Sequence, residues 1–142
     1  MSRRRVRPST LLVGGFVFAA CGGSPTAADG PAFRLDQSFD LRGGETASLS
    51  GGDLTVTFES VPADSRCPTN VTCVWAGDAI VQLRTRSDAA AEGRSELHTN
   101  DGPKEAAYAG YRIVLKKLEP QPRDGTKLEP RDYVATLIVS RG

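Results

Sequence analysis

The chain is poor in the residues from which most active sites are built. Its 142 residues include three cysteines, one histidine, one tryptophan and one methionine, and aromatics make up only 6%. A structural zinc site takes four ligands from Cys, His or carboxylate. Cys67, Cys73 and His98 with a carboxylate would be a stretched way to supply them. The two cysteines are separated by five residues, not by the two of the C-x-x-C motif, and no helix start accompanies them to lower a thiol pKa. The sequence has no G-x-S-x-G nucleophile elbow and no D-x-D-x-D-G calcium loop. It therefore designates no catalytic residue, no metal ligand and no cofactor. Long apolar runs are missing too. The longest, residues 11–20, is half the roughly 20 residues that a membrane-spanning helix needs.

What is present begins at the N-terminus. Arg3, Arg4, Arg5 and Arg7 precede the apolar run, and Ala19 and Ala20 close it. A basic region, a short apolar region and small residues are the anatomy of an export signal. Ser2-Arg3-Arg4-Arg5-Val6 also resembles a twin-arginine signal, although a generic basic region explains it more simply. Phe18-Ala19-Ala20-Cys21 resembles the bacterial lipobox, with phenylalanine where that pattern prefers leucine. The resemblance implies cleavage before Cys21 and its acylation, hence residues 1–20 as a lipoprotein signal peptide. Residues 21–32, rich in Gly, Ser, Pro and Ala, read as the lipidated cysteine and a flexible tether. Ordinary cleavage near Ala20, leaving a free thiol, is the alternative. Two or more acyl chains suffice for stable attachment, so the expected location is the cell envelope, facing the periplasm or in the outer membrane. The expected partners are the membrane, through the lipid on Cys21, and an envelope protein.

Loss of the signal changes the charge. Four of the 18 Lys and Arg leave with it, so 14 face 17 Asp and Glu, a net charge of −3. No basic excess is left to favour nucleic acid. With Cys21 acylated, Cys67 and Cys73 are the remaining cysteines in an oxidising compartment, which points to one local disulfide.

From residue 33 to 142 the dominant pattern is alternation, the period of a half-buried strand. Leu54, Val56 and Phe58 share one face; so do Val81 and Leu83, and Tyr111, Ile113 and Leu115. Residues 132–140 are apolar on both faces, as in a central strand. Residues 38–42 and 45–49 flank Gly43-Gly44 and read as a hairpin. Residues 94–99 read as a polar edge strand, residues 88–93 as at most one helical turn, and the proline-rich 119–130 as a loop before the last strand. No segment carries a sustained helical repeat. The expected fold is all-β: one antiparallel β-sandwich or barrel-like domain, residues 33–142, of about seven strands with one local disulfide.

The stretch Asp64 to Ala79 collects both of these cysteines and the tryptophan. Its D-S-R-C-P, a short gap, then C-x-W-A-G-x-A resembles the signature of a group of small exported bacterial lipoproteins. That resemblance implies the Cys67–Cys73 disulfide and a structural role for Trp75, and no activity. From the residues alone, Trp75 is either a core or disulfide-covering side chain or an exposed ligand-stacking one. Asp64 and Arg66 form either an internal ion pair or, with Trp75 and Asp78, a candidate recognition patch on a braced loop. The leading functional expectation is a non-enzymatic binding or accessory module of the envelope. The alternatives are a protease inhibitor on a similar scaffold and a hydrolase with an unrecognised carboxylate site.

Overall fold

A computed structural model describes residues 30–142. The expected signal peptide, Cys21 and the expected tether up to residue 29 lie outside the described residues. Among the described residues there are nine strands: β1 (Ala32–Phe33), β2 (Ser38–Arg42), β3 (Thr46–Leu49), β4 (Thr55–Asp64), β5 (Ala79–Ser87), β6 (Ala90–His98), β7 (Glu105–Tyr108), β8 (Tyr111–Glu119) and β9 (Val134–Arg141). One short 3-10 turn, Pro130–Asp132, precedes β9. The strands form two sheets, β1-β3-β4-β5-β6 and β2-β9-β8-β7, antiparallel throughout except for β1 beside β3. The expected all-β sandwich is therefore the fold, with two strands more than expected. The additions, β1 and β7, have two and four residues, too few for alternation to register.

The core lies between the sheets and follows the alternation. Leu54, Val56 and Phe58 from β4 and its approach, Val81 and Leu83 from β5, Ile113 from β8, and Leu137 and Val139 from β9 are fully buried. A bulge between Leu115 and Lys117 interrupts β8. It leaves Lys116 and Lys117 exposed in succession and returns Leu118 to the core. Two irregularities in β4, between Phe58 and Ala63, likewise break its period before Asp64.

Two local expectations are corrected. Residues 38–42 and 45–49 do not form a hairpin: β2 pairs with β9, and β3 pairs with β4. Gly43-Gly44 instead carries the chain from one sheet to the other. The Gly43 N–H donates to the Tyr133 carbonyl (3.0 Å), beside β9, and the Gly44 N–H to the Phe58 carbonyl (2.7 Å), on β4. A Cβ at Gly43 would lie 1.9 Å from the Pro130 carbonyl oxygen, and Gly44 has φ +90°, so neither position tolerates a side chain readily. Residues 88–93 form no helical turn. Asp88 and Ala89 make the β5–β6 turn, and Ala90 and Gly93 already pair with Ser87 and Thr85. Alanine gives a single helical turn no apolar face to bury, whereas the hairpin satisfies the backbone. As expected, β6 is an edge strand, β9 is central, and residues 120–133 link β8 to β9.

Phe58 is the largest of the fully buried side chains. Phe58→Ala is expected to lower the unfolding free energy by about 3–5 kcal/mol, measured by equilibrium urea denaturation. A loss below about 1 kcal/mol would mean that the two sheets do not close on this side chain.

Candidate functional site

The β4–β5 connection, residues 65–78, stands at one end of the sandwich. Strand pairing continues into it: the Ser65 N–H donates to Asp78 O (2.7 Å) and the Cys67 N–H to Ala76 O (2.9 Å). Gly77 makes this approach feasible. It has φ +69°, and a Cβ there would lie 1.8 Å from the Ser65 carbonyl oxygen. Beyond the last pair the Cys67–Cys73 disulfide closes the loop, with Cα atoms 5.9 Å apart, inside the usual range for such bridges. The loop also rests on the β8–β9 connection. The Thr69 N–H donates to Pro122 O (2.9 Å), and the Asp124 N–H donates to Asn70 Oδ1 (2.8 Å).

The tip of this braced loop is apolar and open to solvent. Val71 is 44% exposed, Val74 89% and Trp75 82%. Trp75 is thus neither in the core nor a cover for the disulfide, which corrects the structural role that the motif implied. The left-handed Gly77 breaks the strand alternation that would have turned Trp75 inward with Val81 and Leu83.

Asp64 and Arg66 form the internal ion pair. Arg66 Nε donates to Asp64 Oδ1 (2.8 Å) and Nη2 to Oδ2 (2.6 Å), with the two side chains only 5% and 9% exposed for Arg66 and Asp64. The remaining guanidinium contacts cross to the other sheet, with Nη1 donating to Leu118 O (2.8 Å) and Nη2 to Pro120 O (2.9 Å). The Tyr133 hydroxyl donates to Asp64 Oδ2 (3.1 Å). Burial alone would raise the Asp64 pKa. The hydrogen bonds and charge of Arg66, helped by Tyr133, outweigh it and hold the carboxyl below its ordinary 3.8. Burial and the adjacent Asp64 carboxylate push the Tyr133 phenol up to about 12.

Asp78 belongs to a separate cluster at the base of the loop. Its Oδ2 lies 2.6 Å from His98 Nδ1, and its Oδ1 accepts from the Thr99 hydroxyl (3.0 Å) and the Asn100 N–H (2.8 Å). Burial raises its pKa, but the Asn100 amide, His98 and Thr99 more than reverse that, and the carboxyl titrates well below the usual range. A carboxylate held ionised can only accept, so His98 Nδ1–H is the donor. The Asn100 side-chain amide completes the cluster by donating to Gly77 O (2.5 Å).

The four residues of the expected patch are therefore divided. Asp64 and Arg66 meet in a buried clamp, Asp78 fastens the loop to the β6–β7 turn, and Trp75 alone is presented. Tyr133 and His98 act in these networks without any sequence signal, because both pairings are long-range. Val74 does carry a local signal, since it stands with Trp75 and Ala76 in an apolar run between Cys73 and Gly77. A cleft of about 390 Å³ beside the loop has Lys104, Lys116 and Lys117 in its wall, with Cys67 and Ala76 on the loop side. Lys117 pairs with Glu119 (2.6 Å); Lys104 and Lys116 form no salt bridge among the described residues. No cluster of three or more His, Cys, Asp or Glu suited to a metal ion occurs among the described residues.

Arg66→Ala leaves Asp64 buried without its counter-charge and is expected to cost about 3–5 kcal/mol in denaturant unfolding. The pH dependence follows from the carboxylates. Asp64 and Asp78 have folded-state pKa values below those of the unfolded chain, so the unfolded state binds protons first as pH falls. Their contribution is complete above roughly pH 4–5 and is lost as pH drops toward the folded-state values. Unfolding midpoints should fall with acidification across that range, and less steeply in Asp64→Asn. An equal slope in the variant would show that Asp64 has no such linkage.

No protein-family model matches the chain, and no curated protein or solved structure matches it either.

Proposed function

We propose that the chain is an exported, lipid-anchored module of the bacterial envelope that works by binding, not by catalysis. The export signal and the lipobox-like Phe18–Cys21 support the anchor. The Cys67–Cys73 disulfide supports an oxidising compartment. No helix among the described residues is long and apolar enough to cross a membrane. The observation that carries the binding role is the braced loop tip. Trp75 and Val74, both more than 80% exposed, are held in place rather than left on a mobile segment. Apolar side chains fixed at a surface mark interaction sites, and tryptophan is prominent among binding hot spots. Two of the carboxylates in the clefts away from the loop are engaged by arginine, Glu59 by Arg84 (3.3 Å) and Arg94 (3.8 Å), and Glu92 by Arg86, which takes these two out of consideration as a catalytic pair.

A second reading, a lipid-anchored protease inhibitor, draws on the neighbouring loops. Residues 67–76 and 120–126 meet at one end through the Thr69–Pro122 and Asn70–Asp124 hydrogen bonds. An inhibitor would block a protease stoichiometrically through this end.

The anchor is tested with Cys21→Ala, which should move the chain from the membrane pellet to the soluble fraction; unchanged pelleting would refute it. The binding role is tested in that same unlipidated chain by titration with isolated envelope fragments. Trp75→Ala should weaken association by about tenfold while shifting unfolding by less than about 0.5 kcal/mol, since the residue is 82% exposed. Equal association of the two chains would remove the loop from function.

A further inference from the structure

Traced backwards, the described chain heads toward the end of the molecule that carries the apolar loop. Strand β1 runs parallel to β3, with Ala32 beside Ser48 and Phe33 beside Leu49. Strand β3 runs antiparallel to β4, with Ser48 opposite Thr55 and Thr46 opposite Thr57. Traced backwards from Phe33, the chain therefore advances along β4 in the direction of Asp64, and Gly30 already lies against the Thr46 carbonyl. Seven residues separate Thr57 from Asp64, about 23 Å of strand. Nine separate Cys21 from Gly30, which can span at most about 30 Å. A fully extended tether can thus carry Cys21 to the level of Asp64, at the base of the loop.

We infer that Val71, Val74 and Trp75 dock into the headgroup region of the bilayer that holds this lipid, so that the sandwich stands with its braced loop against the membrane. The inference rests on the lipid-anchor reading and names the partner of the loop. Three observations favour lipid. The loop exposes an amphipathic indole together with Val74 and Val71, the chemistry that settles at a membrane interface, where an indole puts its ring body in the apolar layer and its N–H toward water. Cationic side chains accompany it: Lys104 and Lys116 in the adjacent cleft, and Arg123 on the neighbouring connection beside the acidic Asp124, form no salt bridges among the described residues, and the three cations suit anionic lipid phosphates. The opposite end, by contrast, presents Asp53 and Asp88 in its turns, where the Asp88 N–H donates to Asp53 Oδ2 (3.0 Å). Acyl chains already retain the protein, so docking contributes orientation. It keeps the β5–β6 turn end pointed away from the bilayer.

Trp75 is the only tryptophan in the chain, so its fluorescence reads the loop directly. The mature lipidated chain is reconstituted into vesicles of phosphatidylethanolamine and phosphatidylglycerol, with and without brominated acyl chains, and compared with unlipidated Cys21→Ala in buffer. Docking requires co-flotation with the vesicles, a blue shift of the Trp75 emission and loss of intensity with the brominated lipid. Co-flotation with water-like, unquenched emission overturns docking and leaves the anchor standing. A blue shift without bromine quenching means that protein, such as a second copy, covers the loop, and also overturns docking. Failure to float overturns the anchor and docking together.

Discussion

The Arg66 guanidinium is the contact on which the presented end of the molecule depends. It sits one residue before the disulfide and uses its planar fork on Asp64, then reaches the Leu118 and Pro120 carbonyls of the opposite sheet. Taking two charges out of water is expensive, and a buried pair of this kind often adds little net stability over an apolar replacement. What it gives is position. A hydrophobic contact between the sheets could slide, whereas four directed hydrogen bonds from one planar group fix the end of β4 against the end of β8.

Loop order follows from that position. Asp64 and Arg66 hold the outgoing limb, the Asp78–His98–Thr99–Asn100 cluster holds the returning limb, and the disulfide closes the span between them. By the chain-entropy estimate, bridging seven residues contributes about 2 kcal/mol, a worthwhile share for a small domain with limited stability. The consequence is functional. Side chains on a loop already ordered lose little further freedom on binding, so Val71, Val74 and Trp75 can act as anchors despite being few.

The sandwich was legible because its signal is local. Strands β4, β5 and β8 alternate apolar and polar residues, and the faces holding Val56, Val81 and Ile113 could be assigned without knowing which strand lies next to which. Strand partners are another matter. Gly43-Gly44 is a turn in either topology, and only the long-range pairings of β2 with β9 and β3 with β4 reveal that it crosses between sheets. The disulfide was legible by counting cysteines. Trp75 was not, because it lies in the connection before β5, where Gly77 has a positive φ and the alternation of Val81 and Leu83 no longer applies. The expected patch mixed residues of opposite fate for the same reason. Asp64 meets Tyr133, 69 positions away, and its partner Arg66 meets Pro120, 54 positions from that arginine, which no local pattern supplies.

Hydrogen exchange tests most directly whether Arg66 holds the loop. The Ser65, Cys67 and Thr69 amides each donate to a carbonyl across the loop or on the β8–β9 connection. In Arg66→Lys, which keeps the charge but loses the fork, these three amides should exchange faster while the ladder amides of β5 and β8 keep their protection. Unchanged protection of Ser65, Cys67 and Thr69 in the variant would contradict the clamp.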